Sequence, residues 1–352
     1  MMFRITSCIT SDQDDECLIT VRYIGAIFYL RWSPNTLASA PKLLEAYLAH
    51  LHELRDEDDD SEGLLTELVR PLNDLMSQLA PPSKHAPFSL HDYLYPPWFQ
   101  LEATAADNGR TIQPVDMNKA DSPFGLPGEV LHSKRILNLE LNSWVTRWFP
   151  SHEIELSADG ERHPLLYSPF KVVTKQSRTE CFFKDFGAGC QGTIHELVAF
   201  RAIDDAFKRG ALPPDTRVCR LYGLVVDTVG LPSSSLRLVG MLLSYIKPKR
   251  RDRLGTLQCV AYEDGSRKHL RRWANDLDDI VSAIHRAGCI WGDAKPENVL
   301  IDNDDNVWLI DFGGGYTAGW VDKEQQCTEK GDMEAVKIQQ WLDRLSTNCQ
   351  TV

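Results

Sequence analysis

Three side chains able to handle a metal-bound phosphate, Asp293, Asn298 and Asp311, fall close together late in the chain. The run reads Ile290-Trp291-Gly292-Asp293-Ala294-Lys295-Pro296-Glu297-Asn298-Val299-Leu300-Ile301, then Asp302-Asn303-Asp304-Asp305-Asn306, then Val307-Trp308-Leu309-Ile310-Asp311-Phe312-Gly313. Two carboxylates and an amide are hard oxygen ligands. They suit Mg2+, which takes few protein oxygens and leaves the rest of its shell to phosphate or water. Phosphoryl transfer asks a protein mostly for positioning and for charge opposite the reacting phosphate, with a separate carboxylate to accept the nucleophile's proton.

Such residues must be carried to one place. Val299–Ile301 and Val307–Ile310 are short apolar runs split by five turn-forming residues, the pattern of a hairpin. Its outer ends lie together, so Asp293, Asn298 and Asp311 can converge. Upstream, Leu270, Trp273, Leu277, Ile280, Val281 and Ile284 form a helical stripe that Gly288 ends. Leu236–Leu243 reads as a strand. Cys181-Phe182-Phe183-Lys184 reads as a short apolar strand ending in lysine, and His195–Phe200 opens a helical stretch.

The late run resembles the catalytic loop and DFG motif of protein kinases. The resemblance implies that Asp293 is the catalytic base, Lys295 the lysine at the transferring phosphate, and Asn298 and Asp311 the metal ligands. It implies further that Lys184 stands for the third-strand lysine and that Glu196 pairs with it, facing the α- and β-phosphates. Ser244, Tyr245 and Ile246 would follow the 236–243 strand as the hinge against adenine. The chain also resembles small kinase-like proteins of filamentous fungi, which carry an FFK strand, an HGD-KP-NVLID loop and an IDFGGGY segment. The implied ligands are ATP and Mg2+.

The chain departs from that pattern in places. Trp291 and Gly292 stand where His and Arg are usual, so control through an activation-loop phosphate is not expected. No glycine-rich loop precedes Lys184: Ser157–Pro164 holds only Gly160, Ser168–Thr179 holds none, and Gly187-Ala188-Gly189 follows the lysine. No APE motif follows Asp311. Asp332 matches the aspartate that starts the large central helix of the kinase C-lobe, an amphipathic helix runs through Trp341, and little of a peptide-docking platform is left.

The expected fold is α+β: a two-lobed kinase-like domain over residues 151–352 with a truncated C-lobe, and an N-terminal α/β extension, 1–150, packed on it. In the extension, Cys17–Trp32 favours strand with a bend at Gly25. Pro41–Arg55 carries one helical stripe, and Leu64–Leu79 a second that Pro71 kinks. The acidic run Arg55–Asp60 reads as a solvated loop. Residues 84–130 show no sustained period. The aromatic stretch Tyr93–Phe99 reads as packing against the kinase-like lobe.

Composition sets the outer limits. The 352 residues are 43% hydrophobic and 25% charged, ordinary for a globular protein, with a formal charge of −12. That acidity argues against nucleic acid or an anionic membrane as partner. Nine cysteines without a CxxC pair or a His cluster, and no basic-then-apolar leader, fit free thiols in an intracellular, cytoplasmic or nuclear setting. Three functions stay in play: a serine/threonine-type protein kinase acting on a protein substrate, a small-molecule phosphotransferase, and a nucleotide-binding pseudokinase. Lys295-Pro296 speaks for the first, Gly292 for the second, and the missing glycine loop for the third.

Overall fold

The computed structural model describes residues 3–55, 61–80, 86–106, 109–114, 129–130, 136, 139–157, 162–187, 191–231, 235–249, 255–263, 265–314, 317, 319–320, 323–325, 327–333 and 336–347. The acidic run 56–60, Pro81–Ser83 and Gly160 lie outside them. The fold is α+β. The chain divides into two compact units, one of Met1–Leu126 with Ser151–Arg178, the other of Pro127–Pro150 with Thr179–Val352. The chain therefore passes between units three times, where the sequence reading placed one boundary at 150.

The first unit is built on a five-stranded sheet in the order β1 (Phe3–Thr10), β2 (Cys17–Tyr23), β3 (Ala26–Trp32), β4 (Trp98–Ala106), β5 (Gly109–Pro114). Strands β2 and β3 meet through a two-residue turn in which Gly25 takes φ +79°, a conformation glycine adopts without a Cβ clash. Cys17, Ile19, Val21 and Tyr23 on β2 alternate inward with Phe28, Leu30 and Trp32 on β3. Strand β4 runs parallel to β3, which demands a long crossover. Its longer helices are α1 (Pro41–Arg55), α2 (Ser61–Val69) and α3 (Asn73–Leu79), the last two joined by a short 3-10 segment, Arg70–Leu72, that holds Pro71. Tyr47 and Leu51 of α1 and Met76 of α3 are buried against the sheet, with the Tyr47 ring stacked 5.6 Å from Trp32.

Strands β4 and β5 lie in the stretch read as lacking a period. Their pairing comes from a partner far back in sequence, and β4 carries small or polar residues at Gln100, Ala103, Thr104 and Ala105 that blur the alternation. The aromatic stretch packs within this unit. Phe99 stacks on Phe28 at 5.1 Å, Trp98 lies 5.9 Å from Tyr29, and the Arg22 guanidinium sits 3.9 Å over the Tyr93 ring. The stretch and the segment before it also meet residues assigned by sequence to the kinase-like domain. Leu156 N–H donates to Phe88 O at 2.8 Å, and Ser168 Oγ lies 3.3 Å from the Tyr93 hydroxyl. Ile154–Leu156 pairs with Lys171–Thr174 as an antiparallel ladder.

The second unit holds a sheet in the order β6 (Trp148–Pro150), β8 (Leu221–Asp227), β9 (Arg237–Ser244), β7 (Glu180–Asp185). Helix α4 (Gln191–Lys208) buries Leu197, Phe200, Ile203 and Ala206. Helix α5 (Leu270–Arg286) buries the whole predicted stripe, Leu270 through Ile284, and Gly288 follows it at φ +77°. Each large apolar side chain on that stripe contributes roughly 1.5–3 kcal/mol through burial. The hairpin β10 (Val299–Ile301) and β11 (Val307–Leu309) pairs Val299 with Leu309. Two helices close the unit, α6 (Glu329–Met333) and α7 (Val336–Thr347). Ile338 and Leu342 of α7 are buried in the same core as the α5 stripe.

Candidate active site

Strand β7 alternates: Cys181 and Phe183 point into the core, which turns Lys184 to the other face. On α4, Glu196 lies one turn before Phe200 and is 1% exposed. A carboxylate so buried requires a cationic partner. Lys184 Nζ stands 2.7 Å from Glu196 Oε2 and 2.9 Å from Asp311 Oδ1. Burial pulls the Lys184 ammonium down, but the charges of Glu196 and Asp311 outweigh it and hold the group above the ordinary lysine value. Burial pushes the Glu196 carboxyl up against the pull of Lys184. The next residue after Asp311, Phe312, is buried with its ring 5.8 Å from Phe200.

Asp311 is held in a costly conformation. Its φ is +59°, a left-handed value that a non-glycine residue keeps only when its surroundings over-determine it. The preceding residue, Ile310, is held through both of its backbone polar groups. Ile310 N–H donates to Asn298 O at 3.0 Å, and Ile310 O accepts the indole N–H of Trp291 at 2.9 Å.

Asp293 sits on the loop before the hairpin, 5% exposed. Its Oδ2 lies 2.7 Å from Lys295 Nζ and accepts from Asn298 Nδ2 at 3.2 Å. The same amide donates to Asp293 O at 3.0 Å. Thr317, which the sequence reading did not single out, completes the group. Its hydroxyl accepts from Lys295 Nζ at 2.9 Å and donates to Asp293 Oδ1 at 3.3 Å. No local pattern marks this threonine, because its partners lie on the other side of the hairpin and of Asp311.

The loop is pinned from below by Asp332. This carboxylate is wholly buried at the start of the last helices. It accepts the backbone N–H groups of Trp291 and Gly292, each at 2.6 Å, and lies 3.0 Å from His285 Nε2 on α5. Gly292 takes φ +97°, and a Cβ there would stand 3.1 Å from the Gly314 Cα. A glycine at that position therefore has a local steric reason, independent of any substrate.

Lys184, Glu196 and Asp311 thus form one contact group, and Asp293, Lys295, Asn298 and Thr317 another, joined through the Ile310–Asn298 backbone bond. Ser244, Tyr245 and Ile246 stand apart at the end of β9. Met241 is the ladder partner of Lys184, and Ser244 lies three residues on, about 10 Å along the strand. Ser244 turns to Arg220: its N–H donates to Arg220 O at 2.8 Å, and its hydroxyl accepts Arg220 N–H at 3.0 Å.

Among the described residues no group of three or more His, Cys, Asp and Glu side chains is gathered to hold a metal. The candidate ligands here are one carboxylate and one amide. Asn298 spends its Nδ2 on Asp293, which leaves its Oδ1 for a cation. Asp311 engages Oδ1 with Lys184 and more distantly with Gly313 N–H, which leaves Oδ2. Two hard oxygens, one of them anionic, fit Mg2+ with a phosphate-completed shell.

No family model matches the chain. Short stretches are similar to serine/threonine protein kinases. The serine/threonine-protein kinase PKH3 of Eremothecium gossypii is 44% identical over 52 residues, 15% of this chain and 7% of that protein. The probable serine/threonine-protein kinase pknA2 of Bifidobacterium longum is 34% identical over 94 residues, 21% of this chain and 12% of that protein. The maternal embryonic leucine zipper kinase of Xenopus tropicalis is 40% identical over 98 residues, 27% and 13%. The chain spans between 7% and 13% of the length of these three curated relatives. The likeness is to the protein-kinase-like superfamily and to nothing finer. Among the described residues no helix is long and apolar enough to cross a membrane.

Proposed function

We propose that the chain transfers the γ-phosphate of ATP to a serine or threonine hydroxyl of a protein substrate, as a divergent, minimal kinase of the two-lobed fold that resembles the small fungal kinase-like family. The observation that carries this reading is the pair of linked groups: Lys184 on Glu196 and Asp311, and Asp293 on Lys295 and Asn298. Bound Mg–ATP supplies the phosphoryl group and the cationic charge that offsets it. Lys184, oriented by Glu196, faces the phosphate oxygens. Asp311 through Oδ2 and Asn298 through Oδ1 hold the metal, and the segment Ser244, Tyr245 and Ile246 faces the adenine. Asp293 orients the acceptor and takes its proton at Oδ1, the oxygen that already accepts the Thr317 hydroxyl. Lys295 offsets charge beside it. The N-terminal region, 1–150, acts as an extension of this domain, and the setting is intracellular.

A second reading, a nucleotide-binding pseudokinase, is favoured by one observation. The sequence joining the Ile154–Leu156 and Lys171–Thr174 strands contains Gly160 as its only glycine. A small-molecule phosphotransferase loses its main support, since Gly292 is accounted for by its backbone conformation and its close approach to Gly314.

The test is paired. Asp293→Asn keeps shape and leaves the metal ligands in place, so nucleotide affinity by titration should hold while transfer of radiolabelled phosphate falls roughly 10²–10⁴-fold. Asp311→Asn should weaken Mg-dependent nucleotide affinity as well as rate. Wild type that binds Mg–ATP but transfers phosphate neither to any protein tried nor to itself favours the pseudokinase. Transfer undiminished in Asp293→Asn means that another group is the base.

A further inference from the structure

The first unit contains two cysteines, Cys8 and Cys17, and they touch. Strand β1 pairs antiparallel with β2 so that Cys8 faces Ile19 and Thr10 faces Cys17. Cys8 and Cys17 are therefore diagonal neighbours, two residues out of direct opposition, and their side chains share one face of the pair. Their Sγ atoms stand 3.4 Å apart. A disulfide needs about 2.05 Å, so the sulfurs must approach by about 1.4 Å.

The setting allows that approach. Among the described residues strand β1 is the edge of the sheet, bonded on one side only, and its register is irregular between Ile5 and Ser7. The two thiols also differ in access. Cys8 is partly exposed and Cys17 is buried. The hydrogen bond from Cys17 lowers the Cys8 thiol, and that same contact, with burial, raises Cys17. The pair thus presents one reachable thiol and one sheltered thiol directly behind it, the arrangement in which a first attack is followed by an internal one.

We propose that Cys8 and Cys17 form a reversible intramolecular disulfide that fastens the edge strand β1 to β2 when the surrounding thiol–disulfide balance turns oxidising. The oxidant is a small disulfide of the glutathione class. Cys8 thiolate attacks one sulfur of oxidised glutathione, forms a mixed disulfide and releases one glutathione thiolate. Cys17 gives up its proton to that thiolate and attacks the Cys8 sulfur. The mixed disulfide breaks and the second glutathione leaves as its thiolate, which takes up the proton that Cys8 lost to solvent. Two protein thiols are oxidised by two electrons, and one oxidised glutathione is reduced to two molecules of glutathione.

The bridge would close the turn between β1 and β2, where Ser11 N–H already bonds Glu16 O at 2.9 Å. An exposed sheet edge is a template for unwanted pairing, and the bridge holds this one in register with β2. The proposal is independent of the phosphoryl-transfer reading, since both thiols belong to the first unit.

The experiment uses the full chain in glutathione buffers stepped from fully reduced to fully oxidised. Free thiols are trapped by alkylation and the peptides are mapped by mass spectrometry. The expected result is a peptide pair joined through Cys8 and Cys17, lighter by two hydrogens than the reduced form, which reappears as two alkylated thiols on reduction. Amide exchange across Phe3–Thr10 should slow at least tenfold in the bridged form. Cys8→Ser should abolish the linked pair and leave Cys17 unreacted. Cys17→Ala should leave Cys8 as a persistent glutathione adduct. Because Cys17 is buried, the Cys8→Ser variant carries the test if Cys17→Ala fails to fold. Wild type in which both thiols stay alkylatable in the most oxidised buffer overturns the proposal. So does wild type in which Cys8 accumulates as a glutathione adduct that Cys17 never displaces.

Discussion

Replacing Asp332 by asparagine removes one charge and almost no volume from a site with no solvent. The carboxylate is 0% exposed and is shared by Trp291 N–H, Gly292 N–H and His285. Asparagine offers one acceptor oxygen where the carboxylate offered two. Its amide group must face the backbone N–H of either Trp291 or Gly292, donor against donor. One charge-assisted bond, about 1.5–3 kcal/mol, is lost, and a buried N–H is left unsatisfied at about 1–3 kcal/mol. The sum is about 2.5–6 kcal/mol, against a typical domain stability of about 5–15 kcal/mol. For a unit of about 200 residues, each kcal/mol moves the midpoint by about 2–4 °C, so a loss of roughly 5–24 °C is expected. Calorimetry of the full chain should show the drop in the transition of the second unit, with the first little changed. A fall of less than about 3 °C would refute the account of Asp332 as the anchor of the 291–292 backbone.

Two further outcomes follow from the same network. Lys184→Met leaves Glu196 buried without its cation, and burial already holds that carboxyl above the usual range. A folded-state value raised above the unfolded one means stability lost as pH rises through it, so the variant's melting temperature should climb on going from about pH 8 to about pH 5. Wild type, whose Lys184 is raised by its two carboxylates, should keep that pairing until strongly alkaline pH. A variant and wild type with parallel pH profiles would remove the ion pair from the account. Trp291→Phe keeps a buried ring but deletes the N–H that Ile310 O accepts. It should cost about 1–3 kcal/mol by urea denaturation and speed amide exchange at Asp311 and Phe312, with Trp291→His restoring part of the protection. Unchanged exchange there would show that the indole N–H does not hold the Asp311 peptide.

Local pattern and short-range steric preference made much of the second unit legible. The α5 stripe needs only the helical repeat, the β10–β11 hairpin only two apolar runs and a turn, and Gly288 only the freedom to take positive φ. Asp293, Asn298 and Asp311 were read from residue type around a hairpin, and Lys184, Glu196 and Lys295 from the kinase resemblance; the structure brings the six into two contact groups. Long-range packing decided the rest. Strand β4 owes its state to β3 and to the crossover helices between them, and its own small residues carry too weak an alternation to announce it. Tyr93–Phe99 reads as aromatic anywhere, but its partners, Phe28, Tyr29 and Arg22, were chosen by that sheet. Thr317 entered the Asp293 group because the chain returns there after the hairpin, a contact with no periodic trace. Trp291 departs from the motif's usual His, and its indole N–H lands on Ile310 O, for a motif records which residue is present and only the fold records what its N–H can reach.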